Sequence, residues 1–484
     1  MKGKKLFQLL ACLTNEEFKL LAKAIKSPLW NTNDRLILVY RQLKPFYPAF
    51  EVKEKNYHQI YRVLFKEAAY NDYKLRRLFS ELTKITERFL IHLELEKAPQ
   101  SNDQFLVQAL GRRNVYHYFE KETLTLLDQL KEVPFKDMEH YQTLISLHYD
   151  LYFHPLTNRH SINDDHLAAL MNNIDSYYIL AKLRVGSEWK NREKMLNTRY
   201  EIQLEKAILG TFGEQLEGQN PIYRMYKLVY QLFQQEESEM VFHQLKDLFI
   251  PQIRKLRQID QFFILHHLIN FSARQINNGK AGFYKEALDL YKIGLTQELL
   301  LENGKMREAS FSNIILLGCQ EKAFEWTEHF ISIYAQYLDE EIREDAKIHA
   351  LGLWHFYKKD YSKSTEQLLH HKFSPAYQPR VRIIIIRSLF EQFIKDHSIY
   401  SLLQAQLDAF EKYISRNEFM NKSRLEPHIN TTRIIRKFAQ LLFEHEPKKG
   451  IKEWLEQELA SEKKIIGKPW LEDKVKQLLK SGVQ

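Results

Sequence analysis

Glycine and proline are scarce in this chain, at 15 and 13 of 484 residues; average usage is about 7% and about 5%. Breakers that rare imply long uninterrupted helices and short connections. Alternating runs rich in β-branched residues are almost absent as well, so the chain reads as all-α. Cysteine is limited to Cys12 and Cys319. That leaves room for one disulfide, offers no disulfide framework and fits a reducing compartment. No apolar run approaches the roughly 18 residues that a membrane-spanning helix needs. Phosphate-cradling Gly-x-x-x-x-Gly-Lys-Ser/Thr loops, zincin motifs and Gly-x-Ser-x-Gly elbows are missing. The expectation is a cytoplasmic protein that is not an enzyme and carries no cofactor or metal.

What is present is apolar and basic. Hydrophobic residues make up 44% and aromatics 13%, enough for a substantial core and against wholesale disorder. The net charge of +9 comes from 71 Lys and Arg against 62 Asp and Glu. Residues 1–97 alone hold 19 basic and 11 acidic groups, which is nearly the whole excess. A basic head on a neutral body suits an anionic partner. At the start, Lys2, Lys4 and Lys5 precede Leu6 to Cys12 in an arrangement resembling a lipoprotein signal. The apolar stretch is shorter than the usual core of about 7–15 residues and contains Gln8. The preferred reading is an amphipathic helix with Leu6, Leu9, Leu10 and Leu13 inward.

Helix signals recur along the head. Thr14 and Glu17 have capping-box spacing, and Phe18, Leu21, Ala22 and Ile25 follow at helical intervals. Asn33 or Asp34 starts the next helix, and a third spans about 54–68. The clearest, about 72–97, aligns Leu75, Leu78, Phe79, Leu82, Ile85, Phe89 and Leu93 in one stripe. Residues 98–103 are a polar break. The stretch 164–209 reads as two helices joined near Gly186 or as one bent helix. Gly210, Gly213 and Gly218 before Pro221 mark an internal linker.

From about residue 220 to 415 the pattern becomes periodic, with paired helical segments every 37 to 40 residues. The pairs are 221–234 with 237–250, 252–277 with 283–297, 305–319 with 323–337, 341–358 with 361–371, and 379–395 with 398–415. Ala287, Thr327, Ser364 and Leu403 fall early in the second helices, at spacings of 40, 37 and 39. A small residue there lets two helices cross closely. The run Ile383 to Ile386 continues to Leu389, Phe390 and Phe393 at helical spacing, which favours helix over buried strand. Three further helices follow, about 429–445, 450–463 and 468–481. The last carries Trp470, Leu471, Val475, Leu478 and Leu479 and is expected to close the stack.

Tyr284, Ala287 and Tyr291, then Asn313 with Phe324 to Thr327, then Leu351 and Gly352 with Asp360 and Tyr361, resemble the tetratricopeptide repeat family. The period is longer than that family's 34 residues, and Leu403 is large for the small site. The expected fold is therefore all-α, an irregular tetratricopeptide-like α-solenoid of antiparallel helix pairs with an N-terminal helical domain. The expected divisions are 1–98, 99–219, 220–420 and 421–484. The whole chain also resembles a family of uncharacterised bacterial helical proteins of about this length. That resemblance rests on Phe7 to Leu10 with Glu17 and Phe18, Ser27 to Asn31, Tyr70 to Asp72 with Leu75 and Arg76, Tyr178 to Arg184, and Asn313 and Ile314 with Phe324 to Trp326. It implies no activity.

Three functional readings follow. The first is a non-catalytic scaffold holding a protein or peptide partner in the groove lined by first helices. The resemblance to tetratricopeptide repeats places Asn313 where such repeats use an amide on a ligand backbone; its alternative role is a bond to the neighbouring hairpin. The second is nucleic-acid binding by the head, with Lys74, Arg77, Lys84 and Arg88 on phosphates and Trp30 or Tyr73 for stacking. Glu81 and Glu87 interrupt that face. The third is an enzyme whose site is assembled from scattered residues. The densest ligand-type cluster is His154, His160 and His166 with Asp164 and Asp165. Its six-residue spacing across a loop fits capping acids better than zinc. His266 with His267 and His370 with His371 are neighbours on helices, about 100° apart, and do not converge.

Overall fold

The computed structural model describes residues 4–66, 69–97, 99–157, 164–196, 216, 218, 220–234, 239–416, 422–446, 448–461 and 464–480. Among them the chain is all-α apart from one small hairpin. It divides into two compact units, Met1–Lys182 and Leu183–Gln484.

The first unit contains α1 (Lys4–Ala11), α2 (Asn15–Lys26), α3 (Arg35–Leu43), α4 (Glu54–Phe65), α5 (Asp72–Lys97), α6 (Pro99–Arg112), α7 (Tyr116–Lys131) and α8 (Met138–Phe153). Helix α9 (Asp165–Leu196) begins in it and runs unbroken through Gly186, so the single-helix reading holds over the described residues. The unit boundary falls inside α9 and not at either expected break. The expected linker at 210–220 lies mostly outside the described residues. Two apolar clusters fill the first unit, one drawn from residues 6–89 and one from 107–151. The expected polar break at 98–103 is not a loop over its described part, since residues 99–103 form the first turns of α6.

Local chemistry explains the head helices. The Thr14 N–H donates to Glu17 Oε2 at 2.9 Å, and the Glu17 N–H donates back to Thr14 Oγ1 at 3.2 Å. Together they satisfy two donors that a helix start otherwise leaves open. At α3 the Asn33 Oδ1 accepts from the Arg35 N–H at 3.1 Å, while Asp34 makes no side-chain cap bond. Leu6, Leu10 and Leu13 are buried, as are Leu75, Leu78, Phe79, Leu82, Ile85 and Phe89 along α5. Both apolar stripes therefore face the core, except that Leu9 and Leu93, also expected inward, are only half-buried, and Phe7 packs on the cluster beside Leu6 and Leu10.

The second unit is a stack of antiparallel pairs. These are α10 (Pro221–Gln234) with α11 (Glu239–Phe249), α12 (Gln258–Asn277) with α13 (Phe283–Thr296), and α14 (Glu308–Gln320) with α15 (Phe324–Tyr334). Next come α16 (Glu340–Tyr357) with α17 (Tyr361–Leu369) and α18 (Gln378–Lys395) with α19 (Tyr400–Ser415). Helices α20 (Lys422–Phe443), α21 (Lys448–Ser461) and α22 (Lys468–Lys480) follow. Each second helix packs on the first helix of the next pair, and first helices touch directly at α10–α12, α14–α16, α16–α18 and α18–α20.

Two local features differ from the periodicity. Residues 305 and 306, expected to open a helix, pair as a strand (Lys305–Met306, β2) with Leu301–Glu302 (β1). Asn303 and Gly304 at φ 52° and 74° form its two-residue turn, the sequence such hairpins favour. Helix α18 has no polar stripe: Val381, every residue from Ile383 to Glu391, and Phe393 are buried. It is packed on all sides, which is why its four isoleucines could also be read as a buried strand, and it is the helix that the spacing to Phe393 favoured.

The residues expected at tight crossings are all deeply buried, with Ala287 at 2% exposure and Thr327, Ser364 and Leu403 at 0%. Thr327 lies against Gly318. The Ser364 hydroxyl donates to the Gly352 carbonyl at 2.8 Å. Small residues on both helices bring a side-chain hydroxyl of one within hydrogen-bond distance of the other's backbone.

Candidate partner-binding surfaces

Helix α5 carries Lys74, Arg77, Lys84 and Arg88 exposed on one side. Arg77 Nε meets Glu81 Oε1 at 3.1 Å, and Glu81 Oε2 also accepts from Asn33 Nδ2 at 2.7 Å. Glu87 is paired with Lys5 at 2.5 Å. The Arg88 guanidinium lies 5.2 Å from the Trp30 ring and the Lys74 ammonium 5.6 Å from the Phe65 ring. The face therefore combines cations and aromatic rings, with one acid in its middle. Tyr73 is 77% exposed beside it.

In the second unit neighbouring pairs are linked through polar groups. Asn313 on α14 donates to the Tyr291 hydroxyl of α13 at 3.4 Å, so it bonds the neighbouring hairpin. Asn313 and Leu316 are exposed and Gln320 is half-buried along one α14 stripe. Gln320 Nε2 donates to the Tyr357 hydroxyl of α16 at 3.0 Å. Glu308 at the start of α14 accepts from Tyr377 at 2.7 Å and Arg380 at 2.6 Å, both near the start of α18.

At the C-terminal end of this row lies a buried ionic cluster. Arg387 and Glu391, one turn apart on α18, are 5% and 7% exposed, and Lys474 of α22 is 6% exposed. The Trp470 indole N–H donates to Glu391 Oε1 at 2.5 Å, and Lys474 Nζ donates to Glu391 Oε2 at 2.7 Å. The Arg387 guanidinium lies in the corner formed by the rings of Phe356 on α16 and Trp470, 4.3 and 4.8 Å from them. Its Nε and Nη2 have no hydrogen-bond partner. Burial lowers its pKa, opposed by the Tyr357 hydroxyl and by Glu391. Gly467, at φ +72°, lies against that guanidinium; a Cβ there would come within 2.9 Å of its central carbon. Helix α22 thus reaches back to α16 and α18, beyond its packing on α21.

The remaining candidate clusters have local partners. His154 accepts from the Leu156 N–H on Nδ1 at 3.2 Å, which leaves Nε2 to donate to the Gly111 carbonyl at 3.1 Å. His166 faces His148 at 3.2 Å, and His160 lies outside the described residues. Among the described residues no three His, Cys, Asp or Glu side chains gather as a metal site. A cavity of about 400 Å³ in the first unit is lined by Ser146, Asp150 and His154 among others. Those are hydrolase residue types, but both ring nitrogens of His154 are committed to backbone. His267 is buried, whereas His371 bonds Asp345 at 2.7 Å; neither adjacent pair converges. No described helix is long and apolar enough to cross a membrane.

Arg387, Glu391 and Lys474 were not among the candidates drawn from the sequence. The available signal was a charge pair, four residues apart, inside an otherwise apolar helix. Comparison with protein-family models, with curated proteins and with solved structures yields no match.

Proposed function

We propose that this chain is a non-catalytic scaffold that binds a protein or peptide along the first-helix face of its second unit. The observation that carries this reading is the continuous row α14, α16 and α18, on which Asn313 and Leu316 are exposed. Stacked helix pairs present such rows as extended binding surfaces. A helix of the same chain, α22, already rests on part of the row. The test is affinity capture with the intact chain and with an Asn313→Arg, Leu316→Asp variant. The reading expects a partner that the unaltered chain retains and the variant loses at unchanged melting temperature. Equal capture by both, or turnover of a small molecule without any macromolecular partner, removes it.

A second reading, nucleic-acid binding by the head, draws support from Arg88 held over Trp30 beside exposed Lys84. Phosphate contacts make affinity fall with salt, at a log–log slope of roughly −0.7 to −0.9 per phosphate neutralised. Mixed DNA and RNA titrated against salt test it. A slope near zero, or no loss in an Arg77→Glu, Arg88→Glu variant, ends it.

A further inference from the structure

The contacts of α22 are specific in kind. An indole N–H and an ammonium, one helical turn apart at Trp470 and Lys474, converge on the single carboxylate of Glu391. The Trp470 indole is also 4.8 Å from the guanidinium of Arg387, which lies 4.3 Å from the Phe356 ring. Phe390 packs edge-on against the same indole at 5.6 Å. Four side chains of α16 and α18 therefore read two side chains of one helix. Charged hydrogen bonds of this kind fix register and orientation more than apolar burial does. Removing α22 would uncover a carboxylate, a guanidinium and two aromatic rings, arranged to receive an indole and a cation.

We propose that this α16–α18 face is a recognition site for a helical segment presenting Trp and Lys four residues apart, and that α22 occupies it until such a partner displaces it. The partner is an amphipathic helix of that chemistry, docked as helices dock in grooves. This inference rests on the scaffold reading above and assigns its ligand class. As a tethered occupant, α22 competes at an effective concentration in the millimolar range. A free helix therefore enters only when it binds more tightly or arrives in excess.

The probe is a fluorescent synthetic peptide of residues 464–480. The full-length chain with Trp470→Ala and Lys474→Ala empties the seat and should bind the peptide at least about tenfold more tightly than the unaltered chain. Adding Glu391→Lys to that variant should abolish binding, and a peptide carrying Lys474→Glu should restore it. No peptide binding by a folded, emptied chain overturns the proposal, as does binding that Glu391→Lys leaves unchanged. A second measurement needs no variant. Millimolar unlabelled peptide added to the unaltered chain should speed deuterium uptake in α22 while leaving α10 and α11 unchanged. Unaltered uptake in α22 overturns the proposal even where the emptied variant fails to fold. These outcomes bear on α22 alone; the capture experiment with the α14 variant judges the scaffold reading separately.

Discussion

A Cβ added to Gly318 would stand 2.2 Å from the Thr327 hydroxyl oxygen. Two helices of one pair, α14 and α15, cross there with no space for a methyl group.

That distance sets the outcome of Gly318→Ala. Alanine normally favours a helix over glycine by about 1 kcal/mol. Overpacking in a core opposes this by about 1–3 kcal/mol, and Thr327 cannot withdraw freely because its hydroxyl donates to Ala323 O at 2.8 Å. Gly318→Ala should lower the urea midpoint. Thr327→Ala added to it should recover most of the loss, since the two sites are in contact. Equal or greater stability of the single variant would contradict the close crossing.

A second prediction concerns Asp260 on α12. Its Oδ1 takes Arg184 Nη1 at 2.6 Å and also the Tyr226 hydroxyl. The Asp260 side chain is 2% exposed and that of Arg184 21%. Breaking a buried pair by removing one partner is destabilising by about 3–5 kcal/mol. Asp260→Ala should therefore rank among the most damaging substitutions in the second unit. Denaturant unfolding followed by helical signal measures it, and a loss under about 1 kcal/mol would remove the pair from the account.

His267 governs a pH dependence. Its ring is 1% exposed, with neither nitrogen hydrogen-bonded and Glu188 no nearer than 4.0 Å. Burial first, then the charges of His266, Arg274 and Arg184, lower its pKa to about 3. The folded value lies below the unfolded one, so its contribution is complete above about pH 6.5. It is lost as pH falls toward 3, at up to about 1.4 kcal/mol per pH unit. The ring already packs edge-on against Phe233 and Phe263. His267→Phe should therefore fold and flatten this limb of the stability profile. An unchanged slope would show that other groups carry it.

The thiols should separate cleanly. Cys12 is exposed and Cys319 buried, and both are free. Burial pushes the Cys319 thiol up to about 12, which suppresses the reactive thiolate. A thiol-reactive disulfide should label one cysteine in the native chain and two in guanidinium. Two fast thiols under native conditions would place Cys319 at the surface.

The repeat body was legible because its signals are local. Most helix bounds fall within about three positions of where periodicity put them, except that α12 begins at Gln258, six residues after the expected 252, behind a 3-10 turn at Ile250–Lys255; Thr327 and Ser364 announced the crossings by size alone. The Asn303-Gly304 hairpin escaped because it spans only six residues inside a helical rhythm. The seat of α22 escaped for a different reason. Glu391 and Lys474 are 83 positions apart, and no spacing rule connects them. Trp470 and Leu471 read correctly as an apolar face, but the pattern could not say which helix that face would meet.

A linear array of hairpins frays from its ends, because the outermost element has one neighbour and every inner one has two. The bond from Lys474 to Glu391 removes that asymmetry. It ties the far end of the array to a helix in its interior, so α22 leaves only when another helix takes its place or when α18 opens with it. Loss of α18 releases α22, and loss of α22 strips the cover from α18. Melting of this end without a displacing helix should accordingly be a single concerted event from α18 to α22.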